Sequence, residues 1–352
     1  MNPLWSTGIR HLEAYQPGEQ PQIPGLIKLN TNENPYPPSP AAIEAMRQAA
    51  DDALRLYPDP AAITLRERIA ADTGLGIENV FVGNGSDEVL AHVFRALFEH
   101  EQPILFPDIT YSFYPVYCGL FGIDHETVAL DDAFRIEVDE YDRPNGGIII
   151  ANPNAPTGLA LGLDQIRTLL ENHPGSAVVI DEAYVDFGAA SATALVREYP
   201  NLLVVQTLSK SRSLAGLRVG FAIGNAELIA ALELVKNCFN SYPVGRIALA
   251  GAQAAIEDKT YFDSTRKQII ASRERLGERL ATLGFEVLPS MANFVFARHR
   301  TASGKHLQET LRERRILVRR FDKPRISEFL RITIGSDDQC DRLVEALGET
   351  LG

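Results

Sequence analysis

The chain has 352 residues, enough for about two domains, and its 45% hydrophobic and 23% charged residues are ordinary for a globular enzyme. Its formal net charge of −12 argues against nucleic acid or an anionic membrane surface as a partner, because both require a basic face. Three widely spaced cysteines without a CxxC, and seven histidines without HxH or HExxH, point to reduced thiols and to no metal site.

The first 25 residues lack the basic-then-apolar order of a signal peptide, and no apolar run reaches the ~20 residues of a membrane helix. A cytoplasmic protein with no membrane partner is therefore expected. Residues 1–25 read as an arm, and "NENPYPPSP" continues the extended character. Helical spacing follows over 40–54, where Pro40 can start the helix, and over 61–75, ending near Gly74. From residue 79 short apolar runs alternate with helical patterns. Strands are expected at 79–83, 102–107, 124–130, 146–152, 177–182, 202–207 and 218–224, with helices at 87–99 and 163–173 among them. Several of these runs are apolar throughout, as for parallel strands covered on both faces. An α/β fold with a mostly parallel sheet is expected for this region. After residue 246 a long helical stretch and fewer strands suggest a smaller α+β unit. Two units are expected: 53–245, and 26–52 together with 246–352.

Four stretches could carry chemistry. In "VGNGSDEVL" (82–90) a strand ends, a Gly-rich turn follows and a helix starts near Ser86. Such a junction binds anions through free N–H groups and the helix dipole, although a plain capped βα turn has the same look. In "IIIANPNAPTG" (148–158) Asn154 lies beyond a strand's carboxyl end, where open α/β sheets bind ligands. In "VVIDEAYVDF" (178–187) Asp181 ends an apolar strand and Tyr184 follows three residues later. Asp181 either faces water or stays ionised against a cation. In "VVQTLSKSRSLAGLRVGF" (204–221) Lys210 sits among Thr207, Ser209 and Arg218. Alone it reads as a surface lysine; beside phosphate-binding hydroxyls and a guanidinium it reads as a nucleophile toward carbonyls. Together a phosphate cradle, a carboxylate and a reactive lysine are what pyridoxal phosphate requires. Tyr111, in a loop after a strand, could cover the cofactor's face.

The order Gly-rich loop, Tyr, Asn, Asp-x-x-Tyr, Ser-Lys, Arg resembles the aspartate aminotransferase-like, fold type I family of pyridoxal phosphate enzymes over nearly the whole chain. The resemblance is strongest to its histidinol-phosphate aminotransferase subfamily, through "IKLNTNENPYPPSP", "LYPDPAAITLRERIA", "FVGNGSDE", "SKSRSLAGLRVG" and "FLRITIG". It implies a three-layer α/β/α large domain, a smaller α+β domain, an N-terminal arm and a homodimer. It implies that Lys210 joins the cofactor aldehyde, that Asp181 meets the ring nitrogen, and that Tyr184 and Asn154 meet the ring oxygen. It assigns the phosphate to Gly85, Ser86, Asp87, Thr207, Ser209 and Arg218, with Tyr57 reaching in from the partner subunit. Tyr111 would also face the cofactor. Substrate contacts fall to Tyr15, Asn32, Tyr111, Asn154, Arg319 and Arg331, with the adjacent Arg320 an alternative to Arg319. The implied reaction moves an amino group between L-histidinol phosphate and 2-oxoglutarate, giving imidazole-acetol phosphate and L-glutamate. Aromatic amino-acid transamination and threonine-phosphate decarboxylation use the same cofactor residues. A nucleotide-binding regulator would need Lys210 to be an ordinary lysine. Arg212, two residues beyond Lys210, has no evident role.

Overall fold

The computed structural model describes residues 4–352, so residues 1–3 of the expected arm lie outside the described residues. Strand β1 (Ile27–Leu29) comes first, followed by α1 (Pro40–Gln48), α2 (Ile63–Thr73), β2 (Val80–Gly83), α3 (Gly85–Leu97), β3 (Ile104–Pro107), α4 (Tyr114–Phe121) and β4 (His125–Val128). Next are β5 (Gly147–Ala151), α5 (Leu163–Asn172), β6 (Val178–Asp181), β7 (Leu202–Thr207), β8 (Gly220–Gly224) and α6 (Ala226–Phe239). The C-terminal part holds α7 (Arg246–Glu257), α8 (Lys259–Thr282), β9 (Phe285–Val287), β10 (Phe294–His299), α9 (Gly304–Glu313), β11 (Ile316–Arg320), β12 (Phe329–Thr333) and α10 (Asp337–Leu351).

Seven strands form the large sheet in the order β2-β8-β7-β6-β5-β3-β4. All neighbours are parallel except β8, which runs antiparallel to β2 and β7. The continuous apolar runs are explained by a helical layer on each face. Val178 and Ile180 of β6 join one apolar cluster with α2, α5 and α7, and Val179 joins the opposite one with α3, α4 and α6. The period of two puts Asp181, the last residue of β6, on the α4 side. Strand order reverses between β3 and β5, so the loops after these two strands diverge and open a crevice at their carboxyl ends.

The second sheet has the order β1-β11-β12-β10-β9, so the N-terminal strand pairs in parallel with β11 nearly three hundred residues later. A third apolar cluster, including Leu29, Leu276, Leu330 and Leu343, fills the space between this sheet and α8, α9 and α10. Helices α1 and α7, grouped with the smaller unit in the sequence, bury Ala42, Ala252, Ala255 and Ile256 in a large-sheet cluster.

Two helical expectations change in length. The pattern over 40–54 stops at Gln48, because the Asp51 side chain accepts the Ala53 N–H and turns the chain into a short 3-10 segment. The stretch after 246 breaks at Asp258, whose carboxylate caps α8 by accepting the Tyr261 N–H at 3.1 Å.

Candidate active site

One cavity at the carboxyl ends of the parallel strands gathers residues from both sheets and from the arm. Its first end is the turn from β2 into α3. Gly85 has φ +79°, a conformation glycine adopts freely. A Cβ on Gly220 would lie 2.3 Å from the Ser86 nitrogen, so this glycine lets β8 approach the start of α3. Ser86, Thr207, Ser209 and Arg218 converge here. Thr207 donates to Ser209 Oγ at 2.9 Å, and its own oxygen accepts the Ser209 N–H at 3.1 Å. Arg218 pairs with Asp87 at 2.7 Å, and Tyr111 donates to the other oxygen of Asp87 at 3.0 Å.

The middle of the cavity holds the carboxylate. Asp181 is buried; it accepts the Tyr114 hydroxyl at 2.9 Å and the Ala183 N–H at 3.2 Å. Burial pushes Asp181 up to about 6, against the pull of those two donors. A cation brought beside it would offset that desolvation. Tyr111 lines the same wall with its ring edge-on to Tyr114, centroids 5.5 Å apart.

Lys210 follows β7, and its Nζ lies 5.8 Å from the centre of the Tyr184 ring. Its amine makes one long bond, 3.3 Å to the Thr31 carbonyl, and no ion pair among the described residues. The backbone beneath is pinned by Asn34, which donates to the Lys210 carbonyl at 3.0 Å. Arg212 turns away from the cavity: it donates to the Ala255 carbonyl at 2.7 Å and lies 3.6 Å over the Phe262 ring. Its role is to hold this loop against α7.

The far end is cationic. Arg331, on β12, lies between the rings of Phe294 and Phe321, at 5.5 and 5.4 Å. It donates to the Asn30 carbonyl at 3.0 Å, yet its buried Nε has no partner, and no carboxylate pairs with it among the described residues. Burial lowers its proton affinity. Arg319 lines the cavity and shares Phe321 at 5.5 Å. Arg320 faces elsewhere, bonded to the Ser327 carbonyl at 2.7 Å and to Asp322 at 3.1 Å. Successive residues of a strand face opposite sides, which separates the pair. Tyr15 of the arm lines the cavity and packs on Phe113, 4.8 Å between ring centroids. Asn32 donates to the Tyr184 hydroxyl at 2.9 Å.

Three expected residues do not line this cavity: Gly85, which only shapes the turn that presents Ser86, and Asn154 and Tyr57. Asn154 is buried in its own loop, accepting from Thr110 at 2.7 Å and donating to the Ile109 carbonyl at 2.8 Å. Its amide is spent on the two loops of the crevice, and Ala155 faces the cavity instead. Tyr57 is 79% exposed and stacks on Tyr242, at 4.7 Å, on the outside of its own subunit. Tyr114, Thr31, Ala155 and Phe321 were missed by sequence reasoning. The aromatic run "TYSFYPVY" was a signal for Tyr114; nothing marked Ala155.

These residues fit pyridoxal phosphate. Three hydroxyls and a guanidinium at a helix start suit a phosphate, the buried carboxylate suits a pyridinium, and the lysine amine is free of ion pairs. The orphaned Nε of Arg331 suits a second anion, as a substrate would bring.

The family model for aminotransferase class I and II matches residues 24–347. The chain belongs to the class I and II aminotransferases. It is 61% identical over 351 residues to histidinol-phosphate aminotransferase 1 of Bradyrhizobium diazoefficiens, covering 100% of both chains. It is 60% identical to histidinol-phosphate aminotransferase 1 of Pseudomonas aeruginosa, covering 99% of each. Among solved structures, the histidinol-phosphate aminotransferase of Sinorhizobium meliloti in complex with pyridoxal-5'-phosphate matches with a TM-score of 0.85 and 25% identity, over 92% of this chain and 90% of that one. An aspartate aminotransferase from Thermus thermophilus shares the fold at a TM-score of 0.83 and 18% identity, over 98% and 99% of the two chains. No helix among the described residues of this aminotransferase is long and apolar enough to cross a membrane.

Proposed function

We propose that this aminotransferase moves an amino group reversibly between L-glutamate and imidazole-acetol phosphate, forming L-histidinol phosphate and 2-oxoglutarate in histidine biosynthesis, with pyridoxal phosphate as cofactor. One observation carries the reading: a single cavity joins a hydroxyl-lined anion pocket, a buried carboxylate and a lysine with no ion pair among the described residues to a second guanidinium with an orphaned Nε. The full-length identity to histidinol-phosphate aminotransferases supports the choice of substrate.

When bound, pyridoxal phosphate supplies an electron sink that lowers the cost of removing the proton from the amino-bearing carbon. Lys210 would hold the cofactor through its amine, and its Nζ would take that proton as a general base and return it as an acid. Asp181 keeps the ring nitrogen protonated, and the Tyr114 hydroxyl and Ala183 N–H aim its carboxylate. Ser86, Thr207, Ser209 and Arg218 hold the phosphate, and Tyr111 covers the ring. Tyr184 meets the ring oxygen alone, since Asn154 is committed to its loop. Arg331 binds the carboxylate of glutamate in one half-reaction and the phosphate of histidinol phosphate in the other. A guanidinium pairs with either oxyanion, and Arg319 assists from the same wall. Tyr15 closes the arm side and Asn32 supports Tyr184.

We further propose a cytoplasmic homodimer in which Tyr57 reaches the partner's phosphate site. Tyr57, Leu54, Leu56 and Phe239 leave apolar surface exposed that a second copy would cover. The division into an arm and two units is part of this proposal, with α1 and α7 at the seam.

Steady-state assays with 2-oxoglutarate as acceptor test the substrate. Histidinol phosphate is expected to show a higher kcat/KM than L-phenylalanine, with no release of CO₂. A preference for phenylalanine would support an aromatic aminotransferase, and CO₂ release would support a decarboxylase.

A further inference from the structure

A chain of hydrogen bonds runs from a backbone amide to the cavity wall with its polarity set at each link. The Asn32 N–H can only donate, and it donates to Thr333 Oγ1 at 3.0 Å. The Thr333 proton therefore turns to Asn32 Oδ1, also at 3.0 Å. With its oxygen held there, the Asn32 amide presents Nδ2 to the Tyr184 hydroxyl at 2.9 Å. Reversing the amide would strand the Thr333 proton where Thr333 is 2% and Asn32 1% exposed. Asn293 clamps the assembly by donating to the Asn32 carbonyl at 3.0 Å. The Tyr184 oxygen is thus an acceptor toward Asn32, and among the described residues no protein group takes its proton. The Tyr184 ring is held edge-on to Phe294, at 5.2 Å, and packs against a cluster containing Ala155. Ala155, beside Tyr184 in that cluster, offers only a methyl group to the cavity.

We propose that Thr333 and Asn32 are positioning residues that fix the Tyr184 hydroxyl as a donor into the cavity, toward the ring oxygen of pyridoxal phosphate. The inference rests on the cofactor reading above. Thr333 touches neither substrate nor cofactor; it acts by holding one amide in one orientation. A donor at the ring oxygen stabilises its negative charge and lowers the proton affinity of the neighbouring nitrogen bonded through Lys210.

The test is the pH midpoint of the visible absorption of the bound cofactor, measured on holoprotein, with the cofactor dissociation constant as a second readout. Tyr184→Phe should raise the midpoint by about one pH unit, a tenfold change in proton affinity. Thr333→Val should raise it by at least half as much, and Thr333→Ser, which keeps the hydroxyl, should match the wild type. The double variant should equal Tyr184→Phe alone, because both changes remove the same donor. If Thr333→Val fails to fold, Asn32→Asp serves: its carboxylate only accepts, draws the Tyr184 proton away and should raise the midpoint as Tyr184→Phe does. An unmoved midpoint in Tyr184→Phe, in Thr333→Val or in its substitute, or a Thr333→Val shift that adds in full to that of Tyr184→Phe, overturns the inference. Wild-type protein that acquires no visible band with pyridoxal phosphate overturns the cofactor reading itself; a normal band with an unmoved Thr333→Val midpoint overturns only the role of Thr333.

Discussion

Asp181→Asn should strengthen the cofactor-free fold and weaken the cofactor complex. In the folded chain burial raises Asp181 from 3.8 to about 6. That is roughly two pH units, or about 3 kcal/mol at ~1.4 kcal/mol per unit. The sign follows from proton counts. Between the two values the folded state holds a proton that the unfolded state releases, so stability falls as pH rises through this window. It is fully present below the unfolded value and gone above the folded one. Asparagine has the same shape and does not titrate. Urea unfolding of cofactor-free protein at several pH values should therefore show the variant and the wild type alike near pH ~4. The variant should be more stable by about 3 kcal/mol near pH ~7. The neighbouring Glu182, pushed up to about 7 by its own burial, contributes equally to both proteins and cancels in the difference. Cofactor titration should show the opposite order, with affinity lowered about 10–100-fold, since a hydrogen bond to a charged group contributes about 1.5–3 kcal/mol. Parallel stability curves across this range would refute the claim that burial of Asp181 outweighs its donors and the nearby Lys210 charge.

Three further outcomes are expected. Arg331→Lys should lower the rates of both half-reactions about 10–100-fold, because an ammonium cannot pair as a planar fork; single-turnover kinetics with each substrate check it. Arg319→Ala should raise KM for histidinol phosphate, whereas Arg320→Ala should leave KM unchanged and alter only stability, as read from parallel steady-state and urea experiments. If Tyr57 serves the partner's site, mixing inactive Tyr57→Ala and Lys210→Ala subunits should restore activity in the mixed dimers, because one of the two sites then has both residues.

The large sheet was legible because its strands are buried on both faces and read as unbroken apolar runs between turns. The antiparallel direction of β8 was not, since one residue run looks the same in either sense. Asp181, Tyr184, Lys210 and Arg218 could be found because each lies within a few residues of a strand end, where local spacing fixes position. Asn154 shows the limit of that reasoning. Its loop was placed correctly, but whether residue 154 or 155 faces the cavity depends on Thr110 and Ile109 in another loop. Arg319 and Arg320 differ for a similar reason: strand alternation separates them, and the Ser327 carbonyl and Asp322 hold Arg320 on the side away from the cavity. Tyr114 was missed because a fully buried tyrosine among aromatic neighbours reads as core, although its hydroxyl aims the key carboxylate. Arg212 was a puzzle in sequence only because its partners, Ala255 and Phe262, lie more than forty residues away.

The most direct measurement mixes holoprotein with L-histidinol phosphate in the absence of any acceptor and follows the cofactor spectrum and the product together. One amino group per active site should pass to the protein-bound cofactor, one equivalent of imidazole-acetol phosphate should appear, and 2-oxoglutarate added afterwards should restore the starting spectrum with release of glutamate. Product formation only when both substrates are present together, or an unchanged spectrum with histidinol phosphate, would contradict the account.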